Sequence, residues 1–185
     1  MDPRGGRRVT DDIRARMVAV LPRLRRFAYA LTGSTEQGDD LVQETCLRAL
    51  SRVERWQPGS RLDSWMYRIA QNIWLDRMRA NKVRGEVVGV DVVEGLPGLD
   101  GRDVTESQLT LEEVDAALGQ LPTEQRAVIA LVCIEGVSYK EAAEITGVPI
   151  GTIMSRLARA RQALHAILDA PATARAASVA AKTGS

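Results

Sequence analysis

Histidine, cysteine and long apolar runs are scarce in this sequence of 185 residues, and each shortage excludes a class of protein. The one histidine, His165, has no clustered cysteine or carboxylate partners, so we expect a helix-surface residue and predict no metal site. The two cysteines, Cys46 and Cys133, lie far apart in apolar helical patterns, which favours buried free thiols over a disulfide or redox pair. No apolar run approaches the roughly 20 residues of a membrane span, and the first residues, MDPRGGRR, lack the apolar core of a signal peptide. We therefore expect a cytoplasmic protein that does not insert into a membrane.

Catalytic motifs are missing as well. The sequence has no phosphate-binding glycine loop, no metal cluster and no nucleophile–base arrangement, so we predict no catalytic residue, no cofactor and no enzyme activity. The composition, with 45% hydrophobic and 26% charged residues, is that of an ordinary globular protein.

The formal net charge of +1 conceals an uneven distribution of charge along the chain. Residues 1–85 contain 17 Lys and Arg against 10 Asp and Glu, whereas residues 86–122 contain 1 against 9. Such an asymmetry is expected if the first segment contacts nucleic acid and the second avoids or imitates it. Ordinary surface solvation produces the same numbers, so the charge pattern alone does not decide the function.

The apolar spacing in the first half of the chain predicts three helices. We expect Pro22 to kink or restart the first. A capping box of Ser34 and Gln37 predicts the start of the second, and after the loop WQPGS a box of Ser60 and Asp63 predicts the start of the third. The expected buried stripe of the second helix consists of Val42, Cys46, Ala49, Leu50 and Val53.

The middle of the chain changes character. Residues 86–107 are rich in glycine, valine and acids without helical or strand periodicity, so we predict an acidic flexible linker. Helical patterns return in residues 108–170, where Thr123 is expected to cap a helix whose centre, AVIALVCI, is apolar on every face and therefore buried. Residues 171–185 form a small-residue tail that we expect to be mobile. The predicted fold class is all-α, with two small helical domains, residues 1–85 and 108–170, joined by the linker.

The segment SYKEAAEITGVPIGTIMSRLARAR predicts a helix-turn-helix. Ser138 and Glu141 form a capping box for the first helix, Gly147 can take the left-handed conformation that ends it, and Pro149 fits the opening of the next. The three–four spacing of the second helix predicts a buried stripe of Ile153, Leu157, Ala160 and Leu164. Another face carries hydroxyl and guanidinium groups suited to phosphates and base edges, on Thr152, Ser155, Arg156 and Arg159. A docked stripe and a polar stripe are what a major-groove reader needs, and a solvated surface helix is the alternative.

Three segments, in this order, resemble bacterial RNA polymerase sigma factors of the sigma-70 family. DDLVQETCLRAL at 39–50 resembles the clamp-binding helix, and SRLDSWMYRIAQNIWLDRMR at 60–79 is similar to the promoter-melting helix. The segment at 124–161 resembles the second DNA-binding domain, and the spacing is similar to the extracytoplasmic-function (ECF) subgroup. The resemblance covers about residues 12–168 and implies a region 2-like first domain and a region 4-like second domain.

The resemblance implies binding to core RNA polymerase, through the clamp helices of its largest subunit and the beta flap. The residues that it assigns to the clamp contact are Asp39, Asp40, Leu41, Gln43, Glu44 and Arg48. Apart from Leu41, they follow the three–four spacing of an outer helix face, which a merely solvated surface also shows.

The third helix and the loop before it combine aromatic and basic residues, which is what holding open a DNA strand requires. For Trp65 and Trp74, a place in the core is the favoured alternative to base contact. The resemblance implies that the loop binds a flipped base of the minus-ten element and that Asn72 contacts the adjacent bases. The predicted minus-ten residues are Gln57, Ser60, Arg61, Trp65, Arg68, Asn72, Arg77 and Arg79.

The resemblance implies that the second helix of the helix-turn-helix recognises the minus-thirty-five element. Position 154, often basic in the family, is Met here, so it cannot make a bidentate guanine contact. We expect Ser155 and Arg159 to read bases and the remaining polar residues to hold phosphates. The predicted minus-thirty-five residues are Thr152, Ser155, Arg156, Arg159 and Arg161.

The sequence therefore predicts a promoter-specificity subunit that binds core RNA polymerase, reads two promoter elements and assists melting. From the resemblance we expect an anti-sigma factor partner and a role in a stress or envelope response. One alternative is a free-standing helix-turn-helix regulator, against which the segments at 39–50 and 60–84 argue. The other is a sigma-like decoy that titrates an anti-sigma factor, which would not need the arginines of the recognition helix and would normally be joined to a signal-receiver domain.

Overall fold

The computed structural model describes residues 3–57, 59–83 and 111–169. The predicted linker at 86–107 and tail at 171–185 lie outside these residues.

The described residues are helical, which confirms the all-α prediction. A 3₁₀ turn at Val53–Arg55 follows the second helix, and a π-helical turn at Ala130–Ile134 follows the fifth. The helices are, in chain order, α1 (Pro3–Thr32), α2 (Thr35–Leu50), α3 (Leu62–Val83), α4 (Leu111–Gln120), α5 (Thr123–Ile129), α6 (Tyr139–Thr146) and α7 (Ile150–Leu168).

The connection between α1 and α2 is compact because small and capping residues occupy it. Helix α1 continues through Pro22, so of the two predicted outcomes, a kink or a restart, the restart does not occur. Ser34 caps α2 as predicted, since its hydroxyl accepts from the Gln37 N–H at 3.4 Å. A Cβ on the buried Gly38 would lie 3.4 Å from the Tyr29 backbone nitrogen, so glycine lets α2 approach α1 closely.

The predicted capping box at the start of α3 is wrong. The Ser60 hydroxyl donates to the Gln57 carbonyl at 2.7 Å, and α3 begins two residues later, at Leu62. The Asp63 carboxylate accepts from the Ser64 N–H at 2.9 Å, and its remaining capacity goes to arginine side chains described below. Charge-assisted contacts are stronger than a neutral cap, so the tertiary partners take this carboxylate.

The helix-turn-helix is confirmed as α6 and α7. Ser138 accepts from the Glu141 N–H at 3.2 Å, and Gly147 ends α6 in the left-handed conformation with φ 71°. Helix α7 follows Pro149 and turns the predicted apolar stripe inward, with Ile153, Leu157 and Ala160 buried.

Two predictions of burial and one of capping are corrected. Helix α5 begins at Thr123 itself, with Pro122 at the capping position. Its apolar run is buried only through Leu131, because the π-helical turn brings the chain to the surface and leaves Cys133 exposed and Ile134 45% exposed. In α2, Leu50 is 40% exposed and does not join the buried stripe.

Helices α1–α3 pack together, α4–α7 pack together, and the two groups also pack against each other. Helix α1 contacts α5 and the π-helical turn, while α3 contacts α6. Buried side chains of both groups, among them Phe27, Tyr67, Val128 and Leu131, belong to one hydrophobic cluster. Among the described helices, none combines the length and the apolar character that a membrane span requires.

Candidate nucleic-acid and protein interfaces

A cleft of about 650 Å³ lies between α3 and α6. Ser138, Lys140 and Glu141 contribute to its wall on the helix-turn-helix side. The opposite wall brings together five of the eight predicted minus-ten residues, Gln57, Ser60, Arg61, Trp65 and Arg68. Residues from the loop and from the first two turns of α3 therefore form one surface.

The other three predicted minus-ten residues lie outside the cleft. Asn72 and Arg79 are exposed and continue the stripe of Arg68 at helical spacing, and Arg79 pairs with Asp76 at 3.1 Å. Arg77 points to a different neighbour, the Glu44 carboxylate on α2, at 2.6 Å. The structure thus places seven of the eight residues along one side of α3 and its preceding loop, and separates Arg77 from them.

The tryptophans divide between core and cleft. Trp56 and Trp74 are each 6% exposed and belong to the hydrophobic core, as expected for Trp74. Trp65 is half-buried and lines the cleft, so its ring is the aromatic face available there. The Arg16 guanidinium lies 4.8 Å from the centroid of the Trp56 ring, a cation–π contact that the sequence did not indicate.

Arg61 is held between two carboxylates. Its Nε and Nη2 donate to Asp63 at 3.1 and 2.7 Å, and its Nη1 donates to Glu141 of α6 at 2.9 Å. Hydrogen bonding to Asp63 raises the pKa of the Arg61 guanidinium above its usual value. The Ser64 hydroxyl also donates to the Glu141 carboxylate, so both polar groups at the start of α3 reach across to α6.

Asp63 and Arg23 connect Arg61 to the interior of the protein. The Arg23 Nη1 donates to Asp63 at 2.8 Å. Burial raises the pKa of the Asp63 carboxyl, but hydrogen bonds from Arg61 and Ser64 and the charges of both arginines outweigh it, so that pKa lies below its usual value. Asp63 is therefore an ionised, nearly buried anchor for the predicted minus-ten arginine.

Glu135, just after the π-helical turn, is a buried charge that sequence reasoning missed. Its side chain is 0% exposed, and its carboxylate accepts from Arg23 Nε at 2.8 Å, Arg26 Nε at 2.9 Å and the Tyr67 hydroxyl at 3.0 Å. Its backbone carbonyl accepts from Arg23 Nη2 at 2.8 Å. Burial and the neighbouring Glu135 charge raise the pKa of Tyr67 above its usual value. No local spacing signals this cluster, because its partners are 68 to 112 residues away in sequence.

The predicted clamp-binding face of α2 is partly committed to internal pairs. Asp39 pairs with Arg25 at 3.0 Å. Glu44 accepts from both Arg48 and Arg77 at 2.6 Å. Burial raises the pKa of the Glu44 carboxyl, but the two arginines outweigh this effect and hold that pKa below its usual value. Leu41 is 0% exposed, so it anchors α2 in the core and does not present a binding surface, contrary to its assignment.

The exposed side of α2 carries an apolar residue that the sequence analysis did not select. Asp40 and Gln43 are exposed, and Leu47, one turn further along the same stripe, is 68% exposed. The sequence did offer a signal for Leu47, since it is an apolar residue outside the predicted buried stripe of α2. A large apolar side chain among exposed polar ones is typical of a protein interface rather than a solvated face.

The outward face of α7 differs from the predicted one. Arg156 is 22% exposed and pairs with Glu124 of α5 at 3.1 Å, and Thr152 and Ser155 are half-buried. Exposed positions form a stripe at helical spacing that ends in a cation, Ile150, Met154, Ala158 and Arg161, with Arg159 beside it. The prediction that Thr152, Ser155 and Arg156 share a freely presented stripe is therefore corrected, because α7 turns their side toward the rest of its own domain.

The two cysteines are free thiols, but neither is buried as predicted, whereas the histidine lies on a helix surface as expected. Cys46 is half-buried, and burial raises the pKa of its thiol. The Cys133 sulfur lies 3.8 Å from Nη2 of Arg161, with both side chains exposed. His165 Nδ1 lies 2.6 Å from Asp169 on the helix surface, and the described residues include no cluster of potential metal ligands.

Comparison with known proteins identifies both halves of the chain. The family model of Sigma-70 region 2 matches residues 17–84, and that of Sigma-70, region 4 matches residues 111–164. The ECF RNA polymerase sigma factor EcfG of Rhodopseudomonas palustris is 40% identical over 160 residues, covering 86% of this chain and 87% of that protein. SigE of Mycolicibacterium smegmatis is 36% identical over 148 residues, covering 77% of this chain and 56% of the relative.

A solved structure resembles the fold as well. The sigma factor RpoE of Bartonella quintana, in complex with the anti-sigma factor NepR, has a TM-score of 0.69 and 32% sequence identity. The match covers 86% of this chain and 98% of that one.

Proposed function

Because the chain belongs to the extracytoplasmic-function subgroup of RNA polymerase sigma factors, we propose that it binds core RNA polymerase and directs initiation at specific promoters. Sigma factors are initiation factors rather than catalysts, which agrees with the lack of catalytic motifs in the sequence. The proposed partners are the clamp helices of the largest polymerase subunit, the beta flap and promoter DNA, all in the cytoplasm.

The polar side of α3 is the observation that carries the DNA-binding part of the proposal. Cations, a half-buried aromatic ring and an exposed amide follow one another at helical spacing, as Arg61, Trp65, Arg68 and Asn72. A melted strand needs cations along its backbone and flat or amide groups for its bases. We propose that this side of α3 binds the minus-ten element and that Gln57 and Ser60, in the adjoining loop, extend it. Arg79 continues the surface, whereas Arg77 supports α2 through Glu44.

For the minus-thirty-five element we propose the exposed face of α7. Arg159 and Arg161 are exposed, with Arg161 in contact only with the weak acceptor Cys133 among the hydrogen bonds described, while Ser155 lies at the edge of the face. Arg156 must leave Glu124 before it can bind a phosphate, so it contributes less than a free arginine. Met154 and Ala158 supply apolar contacts, which in a major groove are suited to thymine methyl groups.

We also propose an anti-sigma factor as a regulatory partner. The support is the solved relative, a sigma factor in complex with the anti-sigma factor NepR. We expect such a partner to control a stress or envelope response.

The polymerase-binding part is tested by reversing one charge on the exposed side of α2. Asp40→Lys should weaken capture of the chain by immobilised core polymerase, because unfavourable charge pairs at an interface cost several kcal/mol. An exposed substitution changes the free energy of unfolding by only about half a kcal/mol. Glu54→Lys makes the same charge change outside α2 and serves as the control.

Run-off transcription over fragmented genomic DNA distinguishes the proposal from its alternatives. Discrete transcripts that require both core polymerase and the chain are expected from a sigma factor. A decoy or a free-standing regulator would give none. Equal capture of parent and Asp40→Lys would remove the assignment of α2 to the polymerase.

A further inference from the structure

The contact between the two domains is built around two carboxylates of the second domain. The Glu135 carboxylate is buried, and its donors, Arg23, Arg26 and Tyr67, all belong to the first domain. A carboxylate that stayed buried without these donors would be strongly unfavourable, so Glu135 disfavours any partial opening or shifted docking that keeps it from water.

The second carboxylate, Glu141, binds Arg61, the arginine proposed to contact the minus-ten element. Glu141 accepts from Arg61 Nη1 at 2.9 Å and from the Ser64 hydroxyl, while Asp63 takes the other donors of the guanidinium. Phosphate oxygens and carboxylate oxygens bind the same N–H groups. A DNA backbone and Glu141 therefore compete for Arg61.

The two DNA-binding faces are not equally accessible in this arrangement. Helix α6 packs on α3 and forms one wall of the cleft, with Glu141 and Glu144 adding negative charge where a DNA strand would lie. Helix α7 packs against helices of its own domain and leaves Met154, Ala158 and Arg159 exposed. Closure thus places α6 against the part of the proposed minus-ten face around Arg61 and Trp65, and leaves Asn72, Arg79 and the proposed minus-thirty-five face open.

We propose that Glu135 and Glu141 hold the free protein in a closed state in which Glu141 takes the place of a DNA phosphate on Arg61. The masked cleft opens only when the domains separate, so the upstream element is bound before the downstream one. This inference rests on the proposed function of α3 and adds a built-in restraint to it.

Closure itself is measured without DNA. Cysteines introduced as Arg52→Cys and Ala158→Cys carry the spin labels, and Cys46 and Cys133 are replaced by Ser. Pulsed electron–electron double resonance then measures the distance between the two domains in the full chain. We expect one narrow distance distribution for the parent and a broad one for Glu135→Ala. A broad distribution already in the parent would overturn the closed state.

Masking is measured by binding of a fluorescein-labelled single-stranded DNA of mixed sequence, since backbone cations and stacking faces act on any sequence. Opening should tighten binding by about fivefold or more, the lower end of usual coupling between two sites. Glu135→Ala and the milder rim variant Glu141→Gln should both show this gain. Asp169→Asn removes a carboxylate whose partner, His165, lies within the second domain and has no proposed role in DNA binding, so it should show none.

An added Arg61→Ala substitution separates failure of the masking from failure of the proposed function. If parent binding depends on Arg61 but neither carboxylate variant binds tighter, masking is wrong and the minus-ten assignment stands. If no variant binds in a way that depends on Arg61, the minus-ten assignment fails and masking fails with it.

Discussion

Removing one hydroxyl from the buried domain contact should measurably destabilise the protein. Tyr67 is 0% exposed, its hydroxyl donates to the Glu135 carboxylate at 3.0 Å, and its ring centroid lies 5.0 Å from that of Phe27. Tyr67→Phe keeps the ring and its contact and deletes only the O–H donor. The change therefore isolates one hydrogen bond to a buried charge.

The expected cost follows from the chemistry of the acceptor. A hydrogen bond to a charged group contributes about 1.5–3 kcal/mol to the free energy of unfolding. Arg23 and Arg26 continue to donate to Glu135 in the variant, so the carboxylate is not left alone and the lower end, about 1.5 kcal/mol, is expected. For a chain of this length each kcal/mol lowers Tm by about 2–4 °C, so the shift should be several degrees.

Urea unfolding followed by two probes measures the effect. The three tryptophans all lie in the first domain, at Trp56, Trp65 and Trp74, so their fluorescence reports that domain alone. Circular dichroism reports all helices. Because buried residues of both domains form one cluster, the two transitions should coincide in the parent. A cycle with Glu135→Gln then isolates the coupling between hydroxyl and carboxylate.

Two outcomes would refute this account. A loss below about 0.5 kcal/mol for Tyr67→Phe would place the hydroxyl in water rather than on a buried charge. Separate fluorescence and dichroism transitions in the parent would mean that the domains unfold independently.

Three further predictions concern charge, DNA and the polymerase. Because the pKa of Asp63 is held below its ordinary value, its stabilisation is complete above about pH 4 and is lost as pH falls through its folded-state pKa, so urea midpoints should fall there. Asp63→Asn should remove part of that fall, whereas the exposed Asp76→Asn should not. Arg159→Ala should flatten preference at one base pair, at a cost of about 1–3 kcal/mol, while Arg161→Ala should weaken all sequences alike and reduce the salt dependence. Binding across single-base variants at two salt concentrations decides this, and uniform weakening by Arg159→Ala would make both residues phosphate contacts. Leu47→Asp should weaken core polymerase capture without lowering the free energy of unfolding in urea by more than about half a kcal/mol, and unchanged capture would remove Leu47 from that interface.

Features that depend on contacts within a few residues were readable from the sequence. The helix-turn-helix was recognised from Ser138, Gly147 and the stripe of Ile153 and Leu157, and each took its predicted place. Capping, a left-handed turn and a buried stripe are properties of one helix and its ends, so their signals lie close together in the chain.

Several errors arose where a side chain had to choose between a local and a distant partner. Asp63 and Glu141 both fit capping boxes, yet their carboxylates go to Arg61 and, for Asp63, also to Arg23. Similarly, Arg156 was expected at the DNA face and pairs instead with Glu124 of its own domain. A charged partner outcompetes a weak local contact, and the sequence does not state which charges will be neighbours.

The sequence by itself determined the helices, the helix-turn-helix and the family to which the chain belongs. Only the tertiary structure decided which of the predicted DNA-binding residues are free and which are occupied. It also revealed the Glu135 cluster, whose carboxylate and Arg23 are 112 residues apart and share no periodic pattern. Helical periodicity records which side of a segment is apolar, whereas a buried ion pair between domains depends on how two helical units dock, and that is a property of the whole folded chain.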